Sequence, residues 1–140
     1  MISRTSRYAL QILGFLAREC GHRSRSEEIA RRTGIPANYL SKILNQLRKQ
    51  GVVDAEKGWG GGFQLCDEAL DRPIEEILVI FDGVASTRRD ECAFGHPECD
   101  SDHPCPLHPY WERIRGTYRE MLSKITVADL GDGANPLQLT

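Results

Sequence analysis

Residues 92–109 hold most of the cysteines and histidines in this sequence, the side chains that ligate soft and borderline metals. Three of the five cysteines and three of the four histidines fall there, in the pattern Cys92-x6-Cys99-x5-Cys105-x2-His108. Prolines and acidic residues interrupt the stretch, so we expect an irregular loop. Because thiolates and imidazoles are the ligands of soft and borderline metals, the spacing predicts a metal or cluster site on this loop.

The residue types alone leave several kinds of site open. Cys92, Cys99, Cys105 and His108 could hold an iron–sulfur cluster, in which an imidazole ligand raises the reduction potential relative to four thiolates. The same four residues could hold structural zinc, although zinc sites more often contain tighter Cys-x2–4-Cys pairs. The cysteines could also be free thiols, or form a reversible disulfide that senses oxidation. The loop histidines outside this set, His96 and His103, are expected to face solvent.

The segment before the loop has the pattern of a helix-turn-helix. Apolar residues at helical spacing predict a first helix over residues 5–20. Ser26 is a candidate N-cap for a short helix, 27–33, which Gly34 ends. After a turn at Pro36, a second helix over 37–50 has an apolar face and a polar, basic face. A short helix, a glycine turn and a longer helix of this kind are typical of a DNA-binding unit.

A glycine-rich hairpin follows the helix pair. Strand-like runs at 52–55 and 63–66 flank the sequence Lys-Gly-Trp-Gly-Gly-Gly at 57–62, which predicts the β-wing of a winged helix. Amide, hydroxyl and lysine side chains early in the second helix can pair with base edges, while Arg48 is better placed for phosphate and the wing for the backbone or minor groove. The candidate DNA-binding residues are Ser26, Asn38, Tyr39, Ser41, Lys42, Arg48, Lys57 and Trp59.

The charge distribution supports this interpretation. Residues 1–60 contain eleven Lys or Arg and five Asp or Glu, whereas residues 61–140 contain seven and fifteen. The two parts therefore carry +6 and −8, which add to the net charge of −2. A basic half beside an acidic half predicts that only the first faces a polyanion.

The sequence predicts a mainly α fold with a small β-wing: a winged helix-turn-helix plus a long C-terminal dimerisation helix. The predicted boundaries are 1–83 for the DNA-binding domain, 84–108 for the cysteine loop, 109–130 for the dimerisation helix and 131–140 for a disordered tail. The long helix has an apolar stripe that a second copy could cover, so we expect a homodimer. With no signal peptide, membrane span or catalytic motif recognised, we expect a cytoplasmic protein that is not an enzyme, with neither a membrane nor a small-molecule substrate as its partner.

Taken together, these motifs resemble the bacterial IscR/NsrR-type regulators over about residues 1–130. The resemblance lies in Thr-Ser-Arg-Tyr-Ala-Leu at 5–10, Leu-Arg-Lys-Gln-Gly at 47–51, the wing Gly-Trp-Gly-Gly-Gly-Phe at 58–63, the three cysteines, and Ile-Thr-Val-Ala-Asp-Leu at 125–130. It implies a dimeric winged-helix regulator that binds a pseudo-palindromic double-stranded DNA operator under the control of an iron–sulfur cluster.

The resemblance also bears on cluster type. IscR-like members carry a histidine three residues after the third cysteine and hold [2Fe–2S], which Cys105 and His108 match. NsrR-like members use a first-helix carboxylate for [4Fe–4S], where this chain has Arg7. The resemblance therefore favours [2Fe–2S] and keeps [4Fe–4S] as the alternative. One departure from IscR is the longer first cysteine spacing, which some [4Fe–4S] members share. Another is the pair Ser41-Lys42, which leaves the operator sequence open.

Overall fold

The computed structural model describes residues 2–84, 92–94 and 100–132, and their regular structure is helical apart from one hairpin. The elements in chain order are α1 Arg4–Arg18, α2 Ser26–Thr33, α3 Ala37–Lys49, β1 Val53–Glu56, β2 Gly62–Leu65, α4 Ile74–Asp82 and α5 His108–Lys124. Two short 3-10 turns, Asp67–Ala69 and Ala128–Gly131, follow β2 and α5. The predicted mainly α fold with a small β-wing is confirmed.

Helix α1 lies at the centre of the core. Ser3 precedes it, and the Ser3 side chain accepts a hydrogen bond from the Ser6 backbone N–H, which satisfies one of the donors that a helix start leaves unpaired. Ile12 and Leu13 are completely buried, as the helical spacing of apolar residues predicts. Helices α2, α3 and α4 and the sheet pack around this helix, so α1 connects the DNA-binding unit to the rest of the chain.

The α2–α3 unit has the geometry of a helix-turn-helix. Gly34 ends α2 with φ of 74°, a left-handed conformation that glycine adopts without strain. In the turn, the Thr33 hydroxyl donates to the Ile29 carbonyl at 2.6 Å and accepts from the Ile35 N–H at 3.3 Å. The predicted N-cap role of Ser26 is wrong. The helix begins at Ser26 itself, and Arg25 precedes it without a side-chain cap.

The wing is an antiparallel hairpin in which Val53 pairs with Leu65 and Glu56 with Gly62. A third segment joins it, because Ser24 and Phe63 exchange backbone hydrogen bonds of 2.8 and 2.9 Å. Gly62 has φ of 134°, and a Cβ added there would lie 2.7 Å from the Ser24 carbonyl oxygen. A glycine at 62 therefore lets the wing approach the α1–α2 connection closely.

The C-terminal helix is shorter than predicted and is followed by a return to the first domain. Helix α5 starts at His108, one residue before the predicted Pro109, and ends at Lys124 instead of 130. Ile125 is extended, its carbonyl accepts from the Ile74 N–H at 2.9 Å, and Val127 enters the main core. Because Val127 is buried in the main core, the chain leaves the helix after Lys124 instead of continuing it.

A smaller apolar cluster joins α4 to α5. Ile74 and Leu78 of α4 are buried against Tyr118 and Leu122 of α5. No helix among the described residues has the length and apolar character needed to cross a membrane. The predicted tail, 131–140, falls outside the described residues from 133 onwards.

Candidate nucleic-acid interface and metal centre

The outer face of α3 presents polar and basic side chains to solvent. Its apolar residues Leu40, Ile43, Leu44 and Leu47 are buried, which leaves the opposite face free for a ligand. The exposed residues are Asn38, Ser41, Lys42, Asn45, Arg48 and Lys49. The spacing of this face is that of a recognition helix, with amide, hydroxyl and lysine groups in its first two turns.

Two side chains on this face are already held by the helix. The Ser41 hydroxyl donates to the Ala37 carbonyl at 3.0 Å, so its oxygen keeps acceptor capacity towards an incoming donor. The Arg48 guanidinium donates to the Asn45 amide oxygen at 2.8 Å, which fixes the guanidinium along the helix surface. Arg48 thus presents its remaining N–H groups in a defined orientation.

A cleft of about 620 Å³ separates α3 from the wing. Its walls bring together four of the eight predicted DNA-binding residues: Ser26, Ser41, Arg48 and Lys57. Asn38 and Lys42 lie on the exposed face of α3, and Trp59 is fully exposed at the tip of the wing. These side chains come from α2, α3 and the wing, so the fold gathers residues that the sequence separates by more than thirty positions.

Tyr39, another of the eight candidate DNA-binding residues, is partly exposed near the start of α3. Its side chain is 46% exposed, and its ring meets the edge of Tyr8 on α1 at a centroid distance of 6.1 Å. A tyrosine packed on one side and exposed on the other can hold its hydroxyl towards a ligand while the ring stays ordered. The contact also links α1 to α3.

Two arginines that sequence reasoning did not assign position the wing. Arg25 donates to the Gly58 carbonyl at 3.0 Å, so the residue preceding α2 holds the wing turn. Arg23 forms ion pairs with Asp54 at 2.5 Å and Glu56 at 3.3 Å. The hydrogen bond that Arg23 donates to the Asp54 carboxylate, more than any other influence, raises the pKa of Arg23 above its ordinary value. The signal available in the sequence was the run of basic residues just before α2.

The cysteine segment brings two thiols together. The Sγ atoms of Cys92 and Cys105 are 3.6 Å apart, and the Phe94 N–H donates to the Cys92 sulfur at 3.4 Å. Cys92 is buried, whereas Cys105 is half-buried. Two thiolates bound to one tetrahedral metal with bonds of about 2.3 Å lie about 3.8 Å apart, while disulfide sulfurs lie at about 2.05 Å. The observed separation fits two ligands of one metal, and it equally fits a hydrogen bond between two free thiols.

His108 is buried at the first residue of α5. Only 8% of it is exposed, its backbone N–H donates to the Cys105 carbonyl at 3.0 Å, and its Nε2 lies 3.3 Å from Glu112 Oε2. Cys99 and His96 fall outside the described residues. No group of three or more potential metal ligands occurs among residues 2–84, 92–94 and 100–132, so the four-residue ligand set remains a prediction. Among the described residues, the two thiols are the part of the predicted ligand set that lies together, and His108 does not join them in a group of three.

Three further residues, Cys20, Cys66 and His103, are not part of the Cys92–Cys105 pair. Cys20 is exposed, because it follows the last turn of α1, where the helical period no longer determines burial. Cys66 is half-buried against the core, and burial raises the pKa of its thiol. His103 faces solvent as predicted and lies 2.9 Å from Asp100, whose pKa it lowers.

The predicted apolar stripe of α5 divides into two faces. Tyr118 and Leu122 pack against α4, whereas other apolar residues stay exposed on an adjacent face. This exposed face consists of Tyr110, Ile114 and Met121 on α5, and exposed Ile125 follows directly after the helix ends. Its members recur at helical spacing over most of α5, which is the pattern of a helix that packs against a second helix.

Comparison with known proteins identifies the family. The model of the Rrf2 family, an iron-dependent transcriptional regulator, matches residues 2–133. The chain belongs to the Rrf2 family. An Rrf2 protein of Nitratidesulfovibrio vulgaris is 30% identical over 131 residues, covering 92% of this chain and 85% of that one. Rrf2 members are transcriptional regulators, so this Rrf2 chain is a transcriptional regulator and not an enzyme.

Solved Rrf2-type structures share the fold. CymR, the global cysteine regulator of B. subtilis, superposes with a TM-score of 0.72 at 27% identity, covering 94% of this chain and 95% of CymR. IscR of T. potens gives a TM-score of 0.67 at 27% identity, covering 93% and 85%. The winged helix with a long C-terminal helix is thus common to this chain and to both regulators.

Proposed function

We propose that this Rrf2 regulator is a homodimer that binds a pseudo-palindromic operator, and that an iron–sulfur cluster controls its affinity for DNA. The proposed ligands are Cys92, Cys99, Cys105 and His108. The observation that carries the proposal is the 3.6 Å separation of the Cys92 and Cys105 sulfurs, just before the start of α5. A DNA-binding regulator of this bacterial type works where the chromosome is, so we place it in the cytoplasm.

The cluster assignment rests on the donor set and on the resemblance to IscR. Cys105 and His108 have the spacing of the IscR-like branch, and Arg7, at the position of the carboxylate ligand in the NsrR-like branch, cannot ligate. We therefore favour [2Fe–2S] over [4Fe–4S]. When bound, such a cluster supplies a centre that responds to electrons, oxidants and iron supply. His108 at the helix start would place the positive end of the α5 dipole beside an anionic group.

On the DNA side, α3 would enter the major groove with Asn38, Ser41 and Lys42 nearest the base edges. Tyr39 would steady the start of the helix against α1. Ser26 and Arg48 line the cleft between α3 and the wing, where phosphates of the adjacent strand fit. Lys57 and Trp59 would then reach the backbone or the minor groove beyond.

The exposed apolar face of α5 supports a homodimer. Tyr110, Ile114, Met121 and Ile125 expose between 36% and 68% of their surface, an arrangement that a second copy of α5 would bury. A two-fold axis through this contact repeats the α3 face once in each copy. The two half-sites would lie about 34–36 Å apart or at a multiple of that distance.

The chain order suggests how the cysteine site could affect DNA binding. The cysteine segment connects α4, which packs on α1, to α5, which packs on α4. Loss of the cluster from Cys92 and Cys105 would loosen the start of α5 and change the angle between α5 and α4. In a dimer held by α5, that change alters the distance between the two α3 helices.

The decisive experiment is anaerobic purification followed by an absorption spectrum, iron and sulfide assays, and titration of operator DNA at fixed salt. Visible absorption with about two irons and two sulfides per chain would support the [2Fe–2S] proposal. About four of each would overturn the cluster type. Equal operator affinity with and without the cluster would overturn cluster control while leaving DNA binding intact.

A second candidate is a thiol switch without metal, favoured by the same sulfur pair. Cys92 and Cys105 need to approach by about 1.5 Å to form a disulfide, releasing two protons and two electrons to an oxidant such as a peroxide. The similarity to a global cysteine regulator fits this alternative. A metal-free protein that loses two thiols on mild oxidation, together with a change in operator affinity, would favour it. Colourless protein with stoichiometric zinc would instead indicate a structural site.

A further inference from the structure

Two arginines lie on either side of Ser24, in the connection between α1 and α2. Ser24 is buried and exchanges backbone hydrogen bonds with Phe63 of the wing, so this segment is extended like a strand. Side chains two residues apart on an extended segment lie on one side of it, opposite the residue between them. Arg23 and Arg25 therefore lie on the outer side of the segment, next to the wing.

The charge of the first arginine is already neutralised. Arg23 forms ion pairs with Asp54 and Glu56, and it also donates to the Gly62 carbonyl at 3.2 Å. One positive group thus faces two negative groups, and the three together are negative. Arg23 holds the base of the wing and has no net charge left for a polyanion.

The second arginine binds a backbone carbonyl instead. Arg25 donates to the Gly58 carbonyl at 3.0 Å. Among the residues that the structure describes, neither Glu28, which lines the same hollow, nor any other carboxylate forms an ion pair with Arg25. A guanidinium carries several N–H donors in a planar fork, and this bond uses one of them. Arg25 is exposed, so its full charge and its other donors are open to a ligand.

The bond to Gly58 brings this charge to the candidate DNA-binding surface. Arg25 directly precedes Ser26, and Gly58 directly follows Lys57. Ser26 and Lys57 both line the cleft between α3 and the wing. A guanidinium and an ammonium group therefore adjoin this cleft from its two sides. The planar fork of arginine matches the oxygens of a phosphate, which it can bind with two parallel hydrogen bonds.

We propose that Arg25 is a further DNA-binding residue, which binds a backbone phosphate beside the one that Lys57 contacts. This inference rests on the proposed function, because it takes α3 and the wing as the surface that faces DNA. The Gly58 carbonyl holds the guanidinium in place, so the side chain loses little rotamer freedom when a phosphate binds. A phosphate contact reads no base, so Arg25 contributes affinity for all sequences.

The salt dependence of DNA binding reports how many phosphates the protein neutralises. The probe is a fluorescein-labelled duplex of random sequence, whose binding is followed by fluorescence anisotropy over a range of NaCl concentrations. We expect Arg25→Gln to reduce the slope of log K against log salt by about 1, because it removes one cation. Arg25→Lys keeps the charge and should keep the slope. An unchanged slope in Arg25→Gln, or an equal decrease in both variants, would overturn the inference.

A Lys57→Ala background separates a phosphate contact from a role in holding the wing. If Arg25 only held the wing, its removal would act on the slope through Lys57, and Arg25→Gln would change nothing further in this background. A direct contact is independent of Lys57, so we expect the double variant to lose about 2 from the slope. A double variant with the slope of Lys57→Ala alone would refute the contact and leave Arg25 as a support for the wing.

Arg18→Gln is the matched control. Arg18 is exposed on the last turn of α1, and a Cβ added at Gly131 would lie 3.2 Å from its backbone nitrogen. It therefore adjoins the C-terminal return of the chain instead of the cleft, and we expect its removal to leave the slope unchanged. A decrease as large as that of Arg25→Gln would mean that net charge alone sets the slope, which would contradict the inference. Circular dichroism verifies that each variant keeps its helices.

Two other cations separate the failure of the inference from the failure of the proposed function. A smaller slope in Lys57→Ala but not in Arg25→Gln would refute only the role of Arg25. If neither Lys57→Ala nor Arg48→Ala lowered the slope, the proposed DNA-facing surface would be wrong, and the inference with it. Absence of salt-dependent DNA binding by the unaltered protein would likewise overturn both.

Discussion

The Ser6 hydroxyl donates a hydrogen bond of 2.6 Å to Asp82 Oδ2 and so joins the start of α1 to the end of α4. Ser3, which caps α1, donates to the other carboxylate oxygen at the same distance. Asp82 is the last residue of α4, two residues before the segment that leads to the cysteine site. One carboxylate therefore connects the DNA-binding domain to the region proposed to sense the signal.

We expect Ser6→Ala to lower the free energy of unfolding by about 1–3 kcal/mol, because it leaves a charged acceptor without its buried donor. Urea denaturation followed by circular dichroism measures this loss. Ser123→Ala is the control, since Ser123 is exposed near the end of α5 and loses only a local bond to the Glu120 carbonyl. A loss in Ser6→Ala no larger than in Ser123→Ala would contradict the importance of the Asp82 contact.

Gly62→Ala should be destabilising by about 1–3 kcal/mol and should weaken DNA binding. Its φ of 134° is strained for any residue with a Cβ, and that Cβ would lie 2.7 Å from the Ser24 carbonyl oxygen. Gly116→Ala provides the contrast. Among the described residues, no atom other than those of its chain neighbours and its own helix backbone lies within 4 Å of the added Cβ. Alanine in a helix interior is about 0.5–1 kcal/mol more favourable than glycine. Thermal unfolding of both variants tests the pair, and a stable Gly62→Ala would argue against the close approach of the wing.

Lys42 and Lys57 should affect DNA binding in different ways. Lys42→Ala is expected to cost about 1–3 kcal/mol and to relax sequence preference, because Lys42 lies on the face of α3 proposed to meet bases. Lys57→Ala should weaken binding to all sequences and reduce the salt slope by about 1. Fluorescence anisotropy over a range of NaCl concentrations measures both effects. Lys124→Ala, on α5, should change neither, and identical behaviour of Lys42→Ala and Lys57→Ala would refute the division of roles.

Cys66 should be less reactive than Cys20 and should make stability depend on pH. Desolvation by burial, more than the charge of Asp54, raises the pKa of Cys66, so its thiolate forms only above the pH at which an ordinary thiol ionises. Alkylation of Cys66 should therefore require higher pH than alkylation of exposed Cys20. Mass spectrometry of singly labelled peptides gives the two rates.

The sign of the accompanying stability change follows from proton linkage. Between the ordinary thiol pKa and the raised one, the unfolded chain releases a proton that folded Cys66 retains, so stability falls as pH rises. Cys66→Ser should remove that part of the pH dependence. If Cys66 reacted as fast as Cys20 at every pH, the effect of burial would be disproved.

Ile114→Glu should convert the proposed dimer to monomers and weaken operator binding, because it places a charge in the exposed apolar face of α5. Sedimentation velocity measures the assembly state directly. Ser123→Glu adds the same charge to the opposite side of α5 and should leave the dimer intact. A dimeric Ile114→Glu protein would show that another surface pairs the two copies.

Local signals in the sequence predicted the DNA-binding domain well. Gly34 and Gly51 mark the ends of α2 and α3, because glycine adopts positive φ without strain. Both residues have positive φ in the structure. The glycines between the two strand-like runs predicted the wing in the same way. The end of α5 was not predictable locally, since Ile125 continues the apolar period. Remote contacts end the helix: the Ile74 N–H donates to the Ile125 carbonyl, the Val127 N–H donates to the Arg72 carbonyl, and Val127 is buried in the core.

The sequence predicts which residue types form the cysteine site, but it does not predict how their side chains are arranged. The spacing predicts Cys92, Cys99, Cys105 and His108 as ligands, and the structure brings the sulfurs of Cys92 and Cys105 together. Glu112 was present at a spacing of four from His108, but its contact depends on which way a buried ring turns. Packing decides that orientation, and no periodicity in the sequence reports it.

The return of the chain after α5 makes this helix a lever with a fixed end. Backbone bonds from Ile74 to the Ile125 carbonyl and from Val127 to the Arg72 carbonyl, both 2.9 Å, fasten its C-terminal end to the DNA-binding domain. A helix of 17 residues is about 25 Å long, so a tilt of about 5° about that pivot moves its first residue by about 2 Å. The displacement is therefore largest at His108, the end of α5 that adjoins the cysteine segment proposed to respond to the signal.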